Sequence, residues 1–388
     1  MTSVTPSYAP DQQVTSLAGQ IDMPAEVRFS DLRSSDVRRS KHAEYGGRRP
    51  VAGLTPGLVD LHPEAEELAA VAGRAPSLHN AQPWAFRVGR DSVEVHFDDR
   101  RMLPVADPVG RQAYLGLGAA VFLLRLAMAV RHRAVRVELR PAAASPDLVA
   151  LLTVIGEREP TSEEVRLAAA VPRRRTVRTP FQEGEVPVPL RVAWREHAEA
   201  EGGDLHWVER IGERSGVARL VAEADRQQQH DPAYLEELRR WTAPERVAEG
   251  AGVPTSTFGV TPEVGHAAEF TPRDFGAGRR SGEQRHAGPL EEHPLVAVLA
   301  TATDSADDWL RGGQALMRVL LAAADDGYVA SYLNQPIEVP GLRQQLRDEL
   351  RLAGRPQLVM RLGRPSGPMP PPTPRRPPAE LLLSEEPA

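Results

Sequence analysis

The chain has 388 residues, of which 41% are hydrophobic, and a formal net charge of −6 at pH 7. Its length and apolar content suit two domains or one large double-layered unit, and its acidic charge gives no overall basic field for nucleic acid. The absence of cysteine excludes disulfides, thiolate metal sites, iron–sulfur clusters and a cysteine nucleophile. It also fits a reducing, cytoplasmic location. A single lysine leaves 46 arginines, so any one arginine is weak evidence for a site.

The first part of the chain predicts a polar tail followed by helices and strands. Residues 1–50 lack periodicity and predict a mostly disordered tail. The elements predicted after the tail are helices at 63–72, 113–130 and 163–170 and strands at 85–88, 93–97, 135–139 and 148–155. The run Ala113–Val130 is the most apolar in the chain, but Arg125 interrupts it. We interpret it as a buried helix rather than a membrane span.

The second part of the chain predicts more helix. Helices are predicted at 187–200, 212–229, 232–241, 307–326 and 339–353, strands at 295–301 and 357–362, and a short strand or turn at 327–329. Between Thr242 and Pro294 the periodic pattern fails. A loop of this length is typical of a lid, a binding loop or a disordered insertion, and these alternatives stay open.

A stiff polar loop lies between the first predicted helix and the first predicted strand. It runs from Arg74 to Trp84 and contains two prolines, each of which restricts its own backbone and that of the preceding residue. Asn80 and Gln82 each carry an amide donor and an amide acceptor, so together they could bind the polar edge of a planar ring. An ordinary connection between a helix and a strand is the alternative.

Two basic clusters follow the polar loop along the chain. The first is the loop Arg173–Arg178, and the second is the pair Arg375 and Arg376. Arginines can bind a phosphate through paired charge-assisted hydrogen bonds, and the hydroxyl of Thr176 could add another. A solvated basic turn is the alternative for each cluster. No histidine spacing predicts a metal site.

Taken together, the three clusters resemble the nitroreductase family. The run Ala75-Pro76-Ser77-Leu78-His79-Asn80-Ala81-Gln82-Pro83-Trp84 resembles its flavin-site signature, and Arg174-Arg175-Thr176-Val177-Arg178 resembles its N-terminal phosphate loop. The region around Arg361–Pro365 and Thr373–Pro377 resembles its C-terminal end. The arginine loop follows the polar loop here, whereas ordinary members have the reverse order. The chain is therefore similar to the actinobacterial Acg-type branch, in which two degenerate nitroreductase halves are fused.

This resemblance implies an α+β fold in which two degenerate repeats form a pseudo-dimer. Each repeat would have an antiparallel-rich sheet packed with helices around a long central helix. The first half is expected at 51–170 and the second at 171–388, with the lid or insertion at 242–294. Because the fused halves would already bury the family's dimer surface, a monomer is expected, with further association left open.

The resemblance also implies one FMN per chain. The residues that would bind it are Ser77, Asn80 and Gln82 from the first half, and Arg174, Arg175, Thr176, Arg178, Ala330, Ser331 and Arg375 from the second. The flavin would carry the chemistry, so no catalytic side chain and no metal are required.

The function implied is an FMN-dependent oxidoreductase with NAD(P)H as electron donor. Its substrate would be a small flat acceptor such as a nitroaromatic or quinone, with no nucleic-acid or membrane partner. A protein that stores or sequesters FMN under a lid, with little turnover, is the alternative. A pathway enzyme that oxidises a small molecule and returns electrons to oxygen is a third hypothesis.

Overall fold

The computed structural model describes residues 59–141, 145–259, 269–270, 272–276, 291 and 293–384. The predicted tail at 1–50 therefore lies outside the described residues. The first part of the fold contains helices α1 (Ala65–Ala72), α2 (Arg111–Ala129) and α3 (Ser162–Ala170), and strands β1 (Trp84–Val88), β2 (Ser92–Phe97), β3 (Arg133–Leu139) and β4 (Leu148–Glu157).

The second part contains more elements. These are α4 (Val188–Glu199), β5 (Gly203–Val208), α5 (Ile211–Gln229), α6 (Pro232–Trp241), α7 (Pro244–Ala248), β6 (Leu295–Thr301), α8 (Ala306–Asp325), β7 (Val329–Tyr332), α9 (Gln335–Glu338), α10 (Pro340–Glu349), β8 (Arg355–Gly363) and α11 (Pro378–Leu381).

Two antiparallel sheets of four strands have the same topology. Their strand orders are β1-β2-β4-β3 and β5-β6-β8-β7. In each sheet the fourth strand along the chain therefore lies between the second and the third. A long central helix, α2 or α8, belongs to each sheet's repeat and precedes its third strand. The predicted α+β fold of two degenerate repeats is confirmed. The predicted domain boundaries at 51–170 and 171–388 stay a prediction.

The two central helices pack against each other through a contact that is made twice. A Cβ atom on Gly118 would lie 2.0 Å from the carbonyl oxygen of Leu310, and one on Gly313 would lie 2.0 Å from that of Leu115. In each helix the leucine stands three positions before the glycine. The glycines therefore let the helix backbones touch, and the equivalence of the two contacts relates α2 to α8 as repeats.

Helix α2 is apolar and long enough to cross a membrane, yet 94% of its apolar window is buried inside the fold. The carboxylate of Asp107 accepts hydrogen bonds from the backbone N–H groups of Gln112 and Ala113, at 3.1 and 2.9 Å. It therefore pairs two of the N–H groups that lack a partner within the first turn of the helix. The interpretation of this run as a buried core helix agrees with the structure.

The C-terminal segment returns to the first repeat. Helix α11 packs against α1, and the backbone N–H of Leu383 donates to the carbonyl of Phe86 in β1 with an N–O distance of 2.8 Å. Gly73, which follows α1, lies so close to Leu381 that a Cβ atom there would be 2.9 Å from its side chain. Residues 364–377, between β8 and α11, therefore carry Arg375 from one repeat to the other.

Three local predictions differ from the structure. The alternating strand β5 is absent from the prediction, because its short run follows a helix with a Gly-Gly pair that suggests a loop. The predicted helix 339–353 is shorter in the structure, where α10 ends at Glu349, and the separate helix α9 precedes it because Pro340 lacks the N–H that would continue α9. Residues 244–248 form α7 and residues 255–257 a 3₁₀ turn inside the segment where the pattern fails.

Candidate functional site

The polar loop after α1 has a strained backbone. His79, Asn80 and Gln82 have φ angles of 47°, 56° and 54°, in the left-handed region that residues other than glycine seldom adopt. The hydroxyl of Ser77 accepts a hydrogen bond from the backbone N–H of Gln82 at 2.9 Å and holds the turn together. Strain of this kind typically costs about 1–3 kcal/mol per residue and clusters at binding sites.

The amides of this loop bind backbone from distant parts of the chain. The Nδ2 of Asn80 donates to the carbonyls of Gly252 and Pro374 at 3.1 and 3.0 Å. The Nε2 of Gln82 donates to the carbonyl of Gly250 at 2.8 Å, and its Oε1 accepts from the N–H of Arg376 at 3.1 Å. The loop therefore fastens two segments that are remote in sequence.

A cavity lies beside this loop, between the two repeats. It holds about 940 Å³ of space that protein atoms do not fill, part of which is open solvent at its mouth. Of the predicted site residues, those that line it are Ser77, Asn80, Arg174, Thr176, Arg178 and Arg375. The others, which lie beside the cavity without lining it, are Gln82, Arg175, Ala330 and Ser331.

A cluster of four arginines borders the cavity. The Nη2 atoms of Arg174 and Arg375 both donate to the backbone carbonyl of Arg74, at 3.3 and 3.4 Å. Arg175 donates to the carbonyls of Pro172 and Arg174. Within the described residues none of the four has a carboxylate partner. The guanidiniums of Arg174, Arg175 and Arg375 thus donate to neutral carbonyls, and Arg74 adds a fourth nearby charge.

The clustering of these charges carries an electrostatic cost. Burial, and then the charges of Arg174 and Arg74, lower the pKa of Arg375 from its usual value. Burial also lowers the pKa of Arg174, which is 9% exposed. Because a guanidinium stays protonated in proteins, these shifts express the cost of holding buried cations together rather than a loss of charge. A bound anion would relieve that cost.

The arginine loop is anchored beside β7 by an isolated bridge. Thr176 forms a parallel bridge with Ala330, and the backbone N–H of Val177 donates to the Ala330 carbonyl at 3.0 Å. Ala330 and Ser331 are buried within β7 and pair with Leu362 and Arg361 of β8. Ala330 therefore positions the loop through its backbone.

Three buried polar groups on the cavity wall have no hydrogen-bond partner within the described protein. They are the Nη1 of Arg174, the Nε2 of Gln112 and the hydroxyl of Tyr332. The Tyr332 hydroxyl lies close to that of Thr176 but makes no hydrogen bond of normal geometry with it. Unpaired buried donors are costly, and a ligand with several acceptor atoms would satisfy them.

The orientation of Gln112 follows from a chain of hydrogen bonds. The backbone N–H of Val359 donates to the Oδ1 of Asn334 at 2.9 Å, which leaves the Nδ2 of Asn334 to donate to the Oε1 of Gln112 at 3.2 Å. The Nε2 of Gln112 is then left without a partner among the described residues. An acceptor such as a ring carbonyl is the partner that this geometry fits.

A second segment covers the same cavity. The described residues 250–259 and 272–276, here called the cover segment, contribute Val253, Arg273 and Phe275 to its lining. Residues of the cover segment pack with the polar loop and with α6 in one apolar cluster, which includes Ala81, Leu103, Tyr234, Leu238, Trp241, Ala251, Val253 and Phe275. The cover segment itself falls within the predicted lid or insertion at 242–294.

Sequence reasoning missed several residues that line the cavity. Gln112 is a polar residue in the first turn of the most apolar helix, which was the available signal for it. Tyr332, Asn334 and Glu338 lie in a stretch already similar to the Acg-type branch, but no role was assigned to them. Arg273 had no signal at all, because it stands among many arginines in a segment without periodicity.

The two other basic candidates at the C-terminal end have different partners. Arg361 is 5% exposed, forms an ion pair with Glu291 and donates to the carbonyl of Thr179 at 3.0 Å. The guanidinium of Arg364 lies over the ring of Tyr328, 4.6 Å from its centroid. Neither lines the cavity, so Arg375 is the C-terminal arginine that reaches it.

Comparisons with known proteins give relatives over most of the chain. "Putative NAD(P)H nitroreductase Rv3131" of Mycobacterium tuberculosis is 32% identical over 338 residues, which cover 84% of this chain and 94% of that protein. "Putative NAD(P)H nitroreductase acg" of the same organism is 30% identical over 317 residues, covering 80% and 93%. "Uncharacterized protein Rv3127" is 31% identical over 315 residues, covering 79% and 89%.

No protein-family model matches the chain. Among solved structures, the FMN and NADPH-dependent nitroreductase NfnB from Sphigopyxis sp. strain HMH is similar with a TM-score of 0.37 and 17% identity, covering 57% of this chain and 99% of that one. A likeness of that size supports nothing further about this chain. The M. tuberculosis relatives are decisive, and through them the chain belongs to the nitroreductase family, as a two-repeat protein similar to Acg.

Proposed function

We propose that this chain binds one FMN in the cavity and uses NAD(P)H to reduce a small flat acceptor. The observation that carries the proposal is the cluster Arg74, Arg174, Arg175 and Arg375, which has no carboxylate partner within the described residues. A phosphate with two negative charges is the kind of anion that such a cluster accommodates. The names of the relatives Rv3131 and acg, both "Putative NAD(P)H nitroreductase", support the choice of electron donor.

The residues present fit FMN at both ends of the cavity. Arg174 and Arg375 would hold the phosphate, and the unpaired Nη1 of Arg174 is a donor available to it. The hydroxyls of Ser77, Thr176 and Tyr332 would bind the polyol chain. Several hydroxyl and guanidinium donors on one wall thus match a ligand that is rich in acceptors.

The ring would lie where neutral and cationic donors face the cavity. Gln112 would donate from its free Nε2 to a ring carbonyl, and Arg178 would place a positive charge beside the ring. When bound, the flavin supplies the transfer of hydride or single electrons. In the reduction of a quinone to a hydroquinone, one NAD(P)H provides the hydride and solvent provides the second proton, so two electrons and two protons are balanced.

A single site per chain is favoured by the difference between the central helices. Gly116 of α2 lies against the polar loop, and a Cβ atom there would be 3.3 Å from the carbonyl of Pro76. The packing equivalence of Gly118 with Gly313 makes Arg311 the counterpart of Gly116. The side chain of Arg311 lies against Gly202, in the tight turn before β5, which has no counterpart to the long polar loop. Two bound flavins per chain would contradict the proposal.

The decisive binding experiment is FMN titration of the purified chain and two variants. Arg375→Met removes one clustered charge, and we expect FMN to bind about 10- to 100-fold more weakly, as typical of a lost charged hydrogen bond. Arg364→Met removes an arginine that lies outside the cavity and serves as the matched control. Equal retention by both variants would assign the phosphate elsewhere.

A storage function is the second candidate, and the close contact of the cover segment favours it. A Cβ atom on Gly250 would lie 2.3 Å from the carbonyl of Arg375, and one on Gly259 would lie 2.7 Å from that of Arg178. Both glycines have φ angles in the left-handed region, at 76° and 88°. The cover segment therefore rests directly on two of the proposed FMN-binding arginines, which would limit access to the flavin.

Anaerobic reduction separates the two functions. Rapid bleaching of bound flavin by NADH or NADPH supports the oxidoreductase. Flavin that stays oxidised with either donor, yet is reduced by dithionite, supports storage. In that case Phe258→Ala, which removes a ring stacked 5.6 Å from Phe275, should loosen the cover segment and speed bleaching.

The proposed partners are small molecules alone. The chain has an acidic net charge, and its apolar helix α2 is buried, so neither nucleic acid nor a membrane is a proposed partner. The proposed assembly is a monomer, because α2 and α8 already pack the two repeats together.

A further inference from the structure

A second set of charged residues lines the cavity besides the arginine cluster. The guanidinium of Arg273, in the cover segment, donates to the Oε1 of Glu338 at 2.6 Å and to the hydroxyl of Tyr234 at 2.5 Å. The other oxygen of Glu338 accepts from the Nε2 of Gln228 at 2.6 Å. The side chains of Arg273 and Glu338 are 7% and 1% exposed, so this ion pair is buried and fixed.

Arg178 contributes a positive charge that no carboxylate among the described residues balances. Its Nη1 donates to the carbonyl and the hydroxyl of Thr257 at 2.8 and 3.3 Å. Its guanidinium lies 4.5 Å from the ring centroid of Phe275, while that of Arg273 lies 6.0 Å from the same ring. Burial, and then the charge of Arg273, lower the pKa of Arg178. The two guanidiniums are therefore neighbours, and one of them is uncompensated.

The charges that line the cavity do not cancel when a phosphate is bound. The lining contains four arginines and one glutamate, and His79 adds no charge because burial and two nearby arginines hold its pKa well below 6.5. Glu338 offsets Arg273, and a phosphate dianion offsets Arg174 and Arg375. The charge of Arg178 remains. A flat acceptor entering beside Phe275 would therefore meet a net positive wall.

We propose that this cavity selects planar acceptors that carry a negative charge, such as an aromatic carboxylate, and that Arg273 sets the preference by neutralising Glu338 while Arg178 attracts the anion. The inference deepens the proposed function and rests on it. In a partly buried site, one unit of charge a few ångströms from the ligand changes binding by roughly tenfold or more. Removing Arg273 alone would expose the charge of Glu338 and offset the attraction of Arg178.

A series of four proteins tests the proposal by changing the charge while keeping the side chains similar in size. They are the unchanged chain, Arg273→Gln, Glu338→Gln and the double variant Arg273→Gln with Glu338→Gln. The measured quantity is the preference for an anion over its neutral analogue, as the ratio of Kd values for benzamide and benzoate with FMN-loaded protein. The perturbation of the flavin absorbance reports binding without turnover. The ratio of kcat/KM for 4-nitrobenzoate and 4-nitrobenzamide provides the second readout.

The proposal fixes the order of the results. The preference for the anion should rise about tenfold in Glu338→Gln, fall at least tenfold in Arg273→Gln, and return close to the unchanged chain in the double variant. Arg273→Lys should retain it. Equal ratios across the series would overturn the proposal, as would a fall in the double variant equal to that in Arg273→Gln.

Opening of the cover segment is the competing explanation for an effect of Arg273, and Phe258→Ala is its control. This variant loosens the same segment without changing a charge, so its ratio should match that of the unchanged chain. If Phe258→Ala reproduces the loss of preference, access rather than charge is responsible and the proposal fails. If the chain holds no FMN, the proposed function fails separately, and calorimetric titration of benzoate and benzamide still measures the order within the series.

Discussion

The Nη1 of Arg375 lies 3.0 Å from the Oδ1 of Asn80, although the two residues stand near opposite ends of the described chain. The same arginine donates through its Nε to the carbonyl of Gly73 at 2.8 Å. The amide of Asn80 thus accepts from the C-terminal segment with its oxygen and donates to the cover segment with its nitrogen. One side chain therefore joins the three parts of the chain that surround the cavity.

Replacement of Asn80 by glycine should weaken FMN binding without straining the loop. Glycine adopts a φ of 56° freely, so Asn80→Gly removes the side chain while retaining the turn. We expect FMN to bind about tenfold more weakly, because Arg375 loses a positioning partner. His132→Gly is the control, since His132 has a φ of 60° at an exposed site outside the cavity. Comparable weakening in both variants would contradict a specific role for Asn80.

Gln82 should matter for stability more than for binding. It is fully buried, and both ends of its amide pair with backbone, at Gly250 and Arg376. Gln82→Leu would leave those two groups unpaired, and we expect a loss of about 2–4 kcal/mol in the free energy of unfolding. Gln182→Leu, at an exposed side chain that also donates to a backbone carbonyl, should cost less than about 0.5 kcal/mol. Denaturant titration of both variants measures the difference.

Small anions should stabilise the FMN-free protein. The repulsion among Arg74, Arg174, Arg175 and Arg375 is present at neutral pH, and a divalent anion bound among them relieves it. We expect phosphate or sulfate to raise the Tm by a few degrees relative to chloride at the same ionic strength. Arg375→Met should reduce that difference. A rise that is unchanged in Arg375→Met would show that the anion acts at another site.

Acid should weaken an ion pair near the start of α8. Burial raises the pKa of Asp304, but two hydrogen bonds from Arg343 at 2.7 Å, and others from Trp309 and Gln357, outweigh it and leave the pKa well below its usual 3.8. A carboxylate whose pKa is lower in the folded state stabilises the fold at pH values above its pKa in the unfolded chain. It loses that contribution as the pH falls through its pKa in the folded state. In unfolding titrations, Asp304→Asn should be destabilised at pH 7 and should differ less from the unchanged chain below pH 4.

Much of the fold could be predicted from the sequence because its elements follow simple periodic patterns. The predicted helix 232–241 and strand 295–301 match α6 and β6, and the predicted helix 307–326 differs from α8 by one residue at each end. Strand β5 could not be predicted, because its pairing with β6 is a tertiary contact between distant segments. The packing of the cover segment with Trp241 and Tyr234 is a tertiary contact, which local sequence does not encode.

The candidate site was predictable where residue identity alone suggests chemistry. Arg375 is far in sequence from Arg174 and Arg178, yet all three line the cavity with Ser77 and Asn80. The roles of Gln112 and Tyr332 depend on which of their atoms stay unpaired after folding, and no sequence pattern contains that information. The binding of FMN by any of these residues stays a prediction.

The contact between the central helices should tolerate no added methyl group. A Cβ atom on Gly118 or on Gly313 would lie 2.0 Å from a backbone carbonyl oxygen of the facing helix, and backbone cannot move aside as a flexible side chain can. We expect Gly118→Ala and Gly313→Ala each to lower the free energy of unfolding by about 3 kcal/mol or more, despite the higher helix propensity of alanine. Gly341→Ala in α10 is the control, because a Cβ atom there meets no other atom within 4 Å. It should be neutral or stabilising by up to about 1 kcal/mol. If Gly118→Ala and Gly313→Ala differ strongly in denaturant titration, the two contacts are not equivalent, and the repeat relationship between α2 and α8 loses its energetic support.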